Sequence, residues 1–444
     1  MYKIILLPIL LLLTLTGCTE SNDEEDTPTV TTVPTVPIVP IVNDDKNDYN
    51  THIQPTTNPT LRPMLVILIS YKDIQVSSSV STWSNKIFGK NESQLNHYYN
   101  EISNSQFEFS QATEYNGVAS VYLDKNHPNT DIDSSSFEKS VYPDLKAALE
   151  KTDSDISFDI YDKDGNGHIT PDELLITFII AGYEDSYEGM HVTYGIWGHQ
   201  SCVSSIYTPT LDGVTLMSCE NDGNYAMFGE KHNKVNPHDA TIGIIAHELG
   251  HSAFNLPDLY NTYNYNDGGI GYFGLMGGGT WTQKNVFEYA GETPVHMTAW
   301  SKVYTGWITP DKTNGSKVMN ATSLNSFNVV KIPINSNEYY LLENRDNSGY
   351  DRGLFMLGGE FNGGLAIWKI DETKLTDYKI NDNSVNNDIY NRGVDLIEAA
   401  RANIDFGGNG HEKNLFYYGN VNSLSNAGVS NISVRGETMT LEVE

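Results

Sequence analysis

The stretch that most narrows what this chain can become is Ile242-Gly-Ile-Ile-Ala-His247-Glu248-Leu-Gly-His251-Ser-Ala-Phe254. Ile242, Ile244, Ile245 and Ala246 suit a helix with one buried side, and Asp239 stands before it as an N-cap. On such a helix, positions i and i+4 stack on one face, so His247 and His251 aim two imidazoles at one point. Glu248 lies beside that face and can reach a water held there without ligating the ion. A charged His-Glu-His set at the end of a buried helix is costly to desolvate without a metal. A surface helix with two unrelated histidines is the competing reading, and the apolar residues ahead of His247 speak against it.

The pattern H-E-x-x-H is that of zinc peptidases, where two imidazoles bind the ion and the carboxylate takes a proton from water. A catalytic zinc needs a third protein ligand and one open position. Asp258 follows seven residues after His251, in Asn255-Leu-Pro257-Asp258-Leu-Tyr260. Asn255 tolerates the left-handed conformation that ends a helix, and the chain would then turn back toward the metal. Glu292 and His296 compete with Asp258 for the third place. Gly274-Leu275-Met276-Gly277-Gly-Gly can form a tight turn that sets the methionine under the site.

Taken in order, His-Glu-Leu-Gly-His, Leu-Pro-Asp-Leu-Tyr, Gly-Leu-Met-Gly-Gly-Gly-Thr-Trp and the segment Thr293 to Trp307 resemble the immune inhibitor A-type metallopeptidases, secreted bacterial zinc proteases grouped with the metzincins. Tyr339-Tyr-Leu-Leu-Glu343-Asn-Arg345 and Gly363 to Asp371 extend the resemblance over roughly residues 61–400. It implies a zincin-like α+β domain, His247 and His251 as zinc ligands, Glu248 as general base, Met276 as the Met-turn residue and Asp258 as third ligand. The family spacing is usually His-x-x-Gly-x-x-Asp. Here it is one residue longer, with Phe254-Asn255 where one glycine is expected, which a longer helix capped by Asn255 would absorb. The family's long inhibitory propeptide is not apparent.

A second metal pattern lies upstream. Asp162-Lys-Asp164-Gly-Asn166-Gly167-His168-Ile-Thr-Pro-Asp-Glu173 fits an EF-hand loop, with oxygens from Asp162, Asp164, Asn166, the carbonyl of His168 and a bidentate Glu173. An apolar strand follows Glu173 instead of an amphipathic helix, so the expectation is a structural Ca2+ that pins the entry of a core strand, beside a catalytic Zn2+. A hydrogen-bonded Asp/Asn/Gly turn is the plainer alternative.

The N-terminus reads as an address. Lys3 precedes an apolar run, Ile4 to Leu15, too short to span a bilayer. Leu15-Thr16-Gly17-Cys18 resembles a bacterial lipobox, which implies removal of residues 1–17 and lipidation of Cys18. Residues 18–60 carry an acidic stretch resembling some surface-export tags, then a Pro/Thr-rich segment that reads as a disordered, extended tether. These features predict a lipid-anchored protein on the bacterial outer membrane or cell surface. In that oxidising setting Cys202 and Cys219 are expected to pair.

Residues 61–310 are expected to form the catalytic domain. Met64–Ser70, Phe107–Phe109, Gly117–Leu123 and Leu174–Tyr183 read as strands, and Glu92–Ile102 and Tyr142–Lys151 as helices. Residues 311–444 change to short strands between Asn, Gly and Asp turns, a β-rich region with no long helix expected before Val394–Ala402. Asp and Glu number 57 against 27 Lys and Arg, a net charge of −30, which argues against nucleic acid as a partner. The glycine run 268–279 lacks the Lys-Ser/Thr of a phosphate loop. His199 reads as a structural histidine, and Glu343, Arg345 and Asp371 as a structural ion-pair set. The function expected is a monomeric zinc endopeptidase cleaving proteins or peptides at the cell surface, extracellular or host proteins among them. The alternative is an inactive surface module that binds protein or glycoprotein on a protease scaffold. A purely structural surface lipoprotein is weaker.

Overall fold

Why the run from Met64 to Ile69 is apolar without a break is explained by what lies on its two sides. In the computed structural model, which describes residues 59–112, 116–129, 140–188, 192–264, 267–358, 361–400, 404 and 408–444, this run is the middle of a central strand buried on both faces. Met64, Val66 and Leu68 join a core with the helix Ile242–Phe254, while Leu65, Ile67 and Ile69 pack with Leu145 and Leu149 of the helix Tyr142–Thr152. A strand covered on both faces loses the alternating pattern of a half-exposed one.

In chain order the strands of this region are β1 (Thr60–Tyr71), β2 (Phe107–Gln111), β3 (Val118–Leu123), β4 (Leu175–Glu184), β5 (Gly195–Ile196), β6 (His199–Ser201), β7 (Thr210–Leu211), β8 (Val214–Thr215), β9 (Tyr225–His232) and β10 (His238–Asp239). The main sheet runs β10-β9-β4-β1-β2, with β3 also on β1, β5 on β4 and β6 on β9. β2 pairs with the first half of β1 and β3 with the second, both parallel. β4 is parallel to β1 and to β9. Such parallel neighbours need crossover connections; helices Val80–Phe88 and Leu95–Ile102 lie between β1 and β2, and Tyr142–Thr152 lies between β3 and β4. β6 and β10 run antiparallel to β9, making the sheet mixed.

The second half of the chain adds β11 (Gly315–Asn320), β12 (Val330–Pro333), β13 (Glu338–Arg345), β14 (Gly364–Asp371), β15 (Val394–Leu396), β16 (Val429–Ser430) and β17 (Thr438–Val443). They form two sheets, β12-β13-β14-β15 and β11-β17-β16. Leu342, Leu365 and Ile367 face Met439 and Leu441 in a core of their own. On the opposite face, Leu341, Trp368 and Ile370 belong to the same apolar core as the helix Ile242–Phe254. Arg345 crosses the same boundary: its guanidinium pairs with Asp351 and Glu343 and donates to the carbonyl of Phe273 at 2.7 Å.

The fold is α+β, a mixed sheet with helices followed by a mostly β remainder. Three local expectations are corrected. Val394–Leu396 is a strand, not the start of a helix: Val394 and Leu396 are buried with Asp395 between them, and the segment pairs with β14. Residues 397–400 are not helical, and 401–402 lie outside the described residues. Asp239 sits in β10, and Thr241 takes the N-cap position without a side-chain capping bond, its hydroxyl donating to the Ala290 carbonyl instead. Asp371 is not part of the ion set of Glu343 and Arg345, because it lies opposite Glu338 while Arg345 lies opposite Gly364, at the other end of the ladder. Its carboxylate accepts from the Thr373 N–H instead. Cys18, the signal segment and residues 18–58 of the tether also lie outside the described residues.

Candidate metal centre

The helix Ile242–Phe254 is buried almost all round, with only His251 and Phe254 partly open. It ends as the sequence suggests. Asn255 adopts φ 51° and ψ 35°, its N–H bonds back to the carbonyls of Gly250 and His251, and the chain reverses. Leu256 N–H then returns to the Gly250 carbonyl. The Met276 turn closes the floor: the Met276 carbonyl accepts from Leu259 N–H, and a methyl on Gly250 would stand 2.7 Å from Met276 Sδ. Glycine at 250 is what lets the thioether lie against the helix.

The reversal brings Asp258 beside both histidines. Its Oδ1 lies 3.0 Å from His247 Nε2 and 3.4 Å from His251 Nε2, and the two Nε2 atoms are 3.2 Å apart. Each ring is oriented from its other nitrogen: His247 Nδ1 lies 3.0 Å from the Leu275 carbonyl, and His251 Nδ1 lies against that of Leu256. A carbonyl only accepts, so both Nδ1 atoms carry the proton in the neutral rings and both Nε2 atoms are bare. Two lone pairs and an anionic oxygen therefore converge with no hydrogen between them, and Asp258 Oδ1 is buried without a hydrogen bond. That arrangement repels itself unless a positive charge, a proton or a metal ion, lies among the three atoms. Burial works against ionising Asp258; without a metal it is protons taken up by His251 and His247, in place of bare Nε2 atoms, whose charge offsets that burial and holds the carboxyl well below its usual range. Nitrogen, nitrogen and carboxylate oxygen, with imidazoles fixed by carbonyl acceptors, is a donor set suited to zinc.

Glu248 is buried beside this group, and burial pushes its carboxyl up to about 8, with Asp258 and Glu184 adding repulsion. A divalent cation at the site would oppose that shift. The backbone N–H of Gln200, on β6, reaches the Glu248 carboxylate. Both border a cavity of about 400 Å³ walled by residues 197–202 on one side and by the 255–260 loop and Ile380–Asn383 on the other. His199 lines it too, but its ring is used internally, with Nδ1 on the Trp197 carbonyl and Nε2 on the Tyr225 hydroxyl.

The rival third ligands are placed elsewhere. His296 is buried against Glu101, at 2.8 Å, and a Glu292 oxygen accepts from the Tyr289 N–H. Cys202 and Cys219 are joined by a disulfide. In the upstream loop, Asp162, Asp164 and Glu173 present oxygens within 4.8 Å of one another, and β4 follows directly. Those oxygens also take backbone N–H groups of the loop, Asp162 from Asn166 and Gly167, and Glu173 from Lys163 and Thr170.

Sequence reasoning passed over two contacts at this centre. The Gln200 contact follows from strand pairing, which no local motif reports. Asn383 bonds Asp258 twice, its Oδ1 accepting the Asp258 N–H and its Nδ2 donating to Asp258 Oδ2, each at 2.6 Å. The only available signal was an asparagine-rich run, Asn381 to Asn387, which reads as a loop.

Residues 45–308 match the immune inhibitor A peptidase M6 catalytic domain. The chain is 27% identical over 253 residues to pre-pro-metalloprotease PrtV of Vibrio cholerae serotype O1, covering 53% of this chain and 25% of that protein. It is 32% identical over 170 residues to Immune inhibitor A of Bacillus thuringiensis subsp. alesti, covering 36% of this chain and 23% of that protein. The matched stretch thus spans about a quarter of the length of these relatives. Among solved structures, OgpA from Akkermansia muciniphila is 12% identical over 74% of this chain and 88% of that one, with a TM-score of 0.28, a likeness too slight to bear on fold or function.

Proposed function

Because the chain belongs to the immune inhibitor A (M6) metallopeptidase family, we propose that it is a zinc-dependent endopeptidase in which His247, His251 and Asp258 hold the ion and Glu248 moves the proton. The observation that carries this reading is the convergence of two imidazole Nε2 atoms and one carboxylate oxygen within 3.4 Å of one another, with a buried carboxyl group alongside. When bound there, zinc supplies a Lewis acid for the scissile carbonyl and makes an attacking water more acidic. Glu248 accepts that water's proton and returns it to the departing amine. The carbonyls of Leu275 and Leu256 keep both imidazoles turned toward the ion. The cavity between β6 and the 380–383 segment receives the peptide and limits bulk water around Glu248.

The test is Glu248→Gln on purified protein. It should retain about one zinc per chain, yet cleave casein slower by a factor on the order of 10²–10⁴. Cleavage at the wild-type rate would remove Glu248 from the mechanism. Wild-type protein that holds zinc and cleaves nothing would instead favour the inactive binding module.

Two further readings belong to the same proposal. Calcium at Asp162, Asp164, Asn166, the His168 carbonyl and Glu173 would brace the entry to β4. Withdrawing calcium while zinc is buffered should lower the melting temperature, and no shift would leave the loop a hydrogen-bonded turn. The lipobox-like Leu15–Cys18 supports surface anchoring by lipid. Cys18→Ala should then release the protein from the membrane fraction, and continued sedimentation with membranes would refute it.

A further inference from the structure

The third ligand is held from a part of the chain that the family's catalytic-domain match does not include. Asn383 lies in the stretch between the helix Asp377–Asn381 and β15. Its amide spans Asp258: the oxygen takes the backbone N–H and the nitrogen donates to Oδ2, each at 2.6 Å. This splits the carboxylate into two unlike oxygens. Oδ2 is tied to an amide, while Oδ1 has no hydrogen bond and faces the two imidazoles.

Neighbouring residues hold the same loop without touching Asp258. Asn387 Oδ1 accepts the Thr262 N–H at 2.7 Å, Asn386 Nδ2 donates to the Leu259 carbonyl at 2.9 Å, and the Asn383 carbonyl accepts from the Thr262 hydroxyl at 3.0 Å. Asparagine suits position 383 for two reasons. It must accept and donate at once, which an aspartate cannot do when ionised. It must also adopt φ 51°, a left-handed conformation that asparagine tolerates better than most residues.

We propose that Asn383 is a positioning residue of the metal centre, locking the Asp258 carboxylate with Oδ1 toward the imidazoles before any metal arrives. The inference rests on the zinc reading above and deepens it: this site is completed by a segment more than 120 residues beyond its ligands. Without the amide, the Asp258 side chain is free to rotate and the 257–259 backbone loses an anchor, so binding must also order the ligand.

The test uses the full mature chain stripped of metal, with zinc affinity measured by chelator competition and the site's geometry read from the visible absorption of the cobalt(II) form. Asn383→Gly keeps the left-handed backbone and removes both side-chain bonds. Asn383→Asp keeps the acceptor and sets a second anion against Asp258. Asn387→Ala loosens the same loop without touching Asp258. Both Asn383 variants should weaken zinc binding about 10- to 100-fold and change the cobalt spectrum, while Asn387→Ala keeps both near wild type. Unchanged affinity and spectrum in Asn383→Gly would overturn the proposal. So would an equal loss in Asn387→Ala, which would make the effect one of general loop order. If the wild type takes up no zinc, or Asp258→Ala binds it as well as wild type, the zinc assignment itself fails, and this inference with it.

Discussion

Gly243 and Gly250 share one helix, but an added methyl meets different things at each. At Gly243 it would stand 2.0 Å from the Thr280 carbonyl oxygen and 2.9 Å from Gly291 Cα, both backbone. At Gly250 it meets Met276 Sδ at 2.7 Å and Cε at 3.3 Å, the far end of a flexible side chain. Alanine would favour the helix by up to about 1 kcal/mol at either place. Gly243→Ala should nonetheless lose on the order of 3 kcal/mol, because two backbone segments must separate, and Gly250→Ala much less, as the thioether swings aside. Urea unfolding of both variants tests this, and equal losses would contradict it. His199 yields a pH effect. Burial holds its ring down to about 4, while in the unfolded chain it titrates near 6.5. The folded state then binds fewer protons between those values, so stability is full above about pH 6.5 and falls as pH drops toward 4, by roughly 3 kcal/mol. The drop between pH 7 and pH 4.5, measured on metal-free protein, should shrink in His199→Gln; an unaltered drop would point to other groups. The shared place of His247, Glu248 and His251 could be read from spacing because a helix converts sequence distance into position, whereas Asp258 competes with Glu292 and His296 in the sequence, and the folded turn at Asn255 is what brings it beside both imidazoles. Asn383 and Gln200 could not be read from spacing, since only tertiary pairing brings them there.

Among the elements, those with the strongest sequence patterns were the easiest to read. β1 and β4 are long apolar runs because both of their faces are covered, and the site helix shows its apolar residues and its left-handed cap directly. β15 was misread because Val394-Asp-Leu396 precedes Ile-Glu-Ala-Ala, whose composition favours a helix, while pairing to β14 decides otherwise. β6 has only three residues and no pattern of its own, yet it walls the cavity beside Glu248. It holds its place through pairing to β9 and through the disulfide that begins one residue beyond it, at Cys202, and closes on Cys219, 17 residues on. Closing a loop of that length restricts the unfolded chain by about 3 kcal/mol. Replacing both cysteines by alanine should therefore lower stability by that order, and should raise KM more than it lowers kcat, because the wall loosens while His247, His251 and Asp258 stay in place. Denaturant titration and steady-state kinetics would show it. A fall confined to kcat would mean that β6 orders the reacting groups and not the substrate.

At the scale of the whole molecule, the change of pattern after residue 310 suggests a boundary, but the packing crosses it. Leu341, Leu354, Trp368, Ile370 and Leu415 are buried in the same core as the site helix, and Lys302, also buried, lies 3.7 Å from Glu343 and 4.3 Å from the Phe327 ring. A fully buried side chain of this size contributes about 1.5–3 kcal/mol, and apolar cover is mutual, so removing five of them uncovers surface worth roughly 8–15 kcal/mol. That equals the whole stability of an ordinary domain, about 5–15 kcal/mol. A fragment of residues 59–310, which keeps His247, Glu248, His251, Asp258 and Met276, should therefore fail to unfold cooperatively and fail to hold one zinc per chain. Two losses would act together in it: the core beneath the helix is opened, and Asp258 is left without Asn383. Adding residues 311–444 as a separate chain should restore zinc binding if the two parts can meet. A fragment 59–310 that melts cooperatively and binds zinc like the full chain would show that the β-rich region is an attached domain, and that the contacts across residue 310 add little to either the fold or the site.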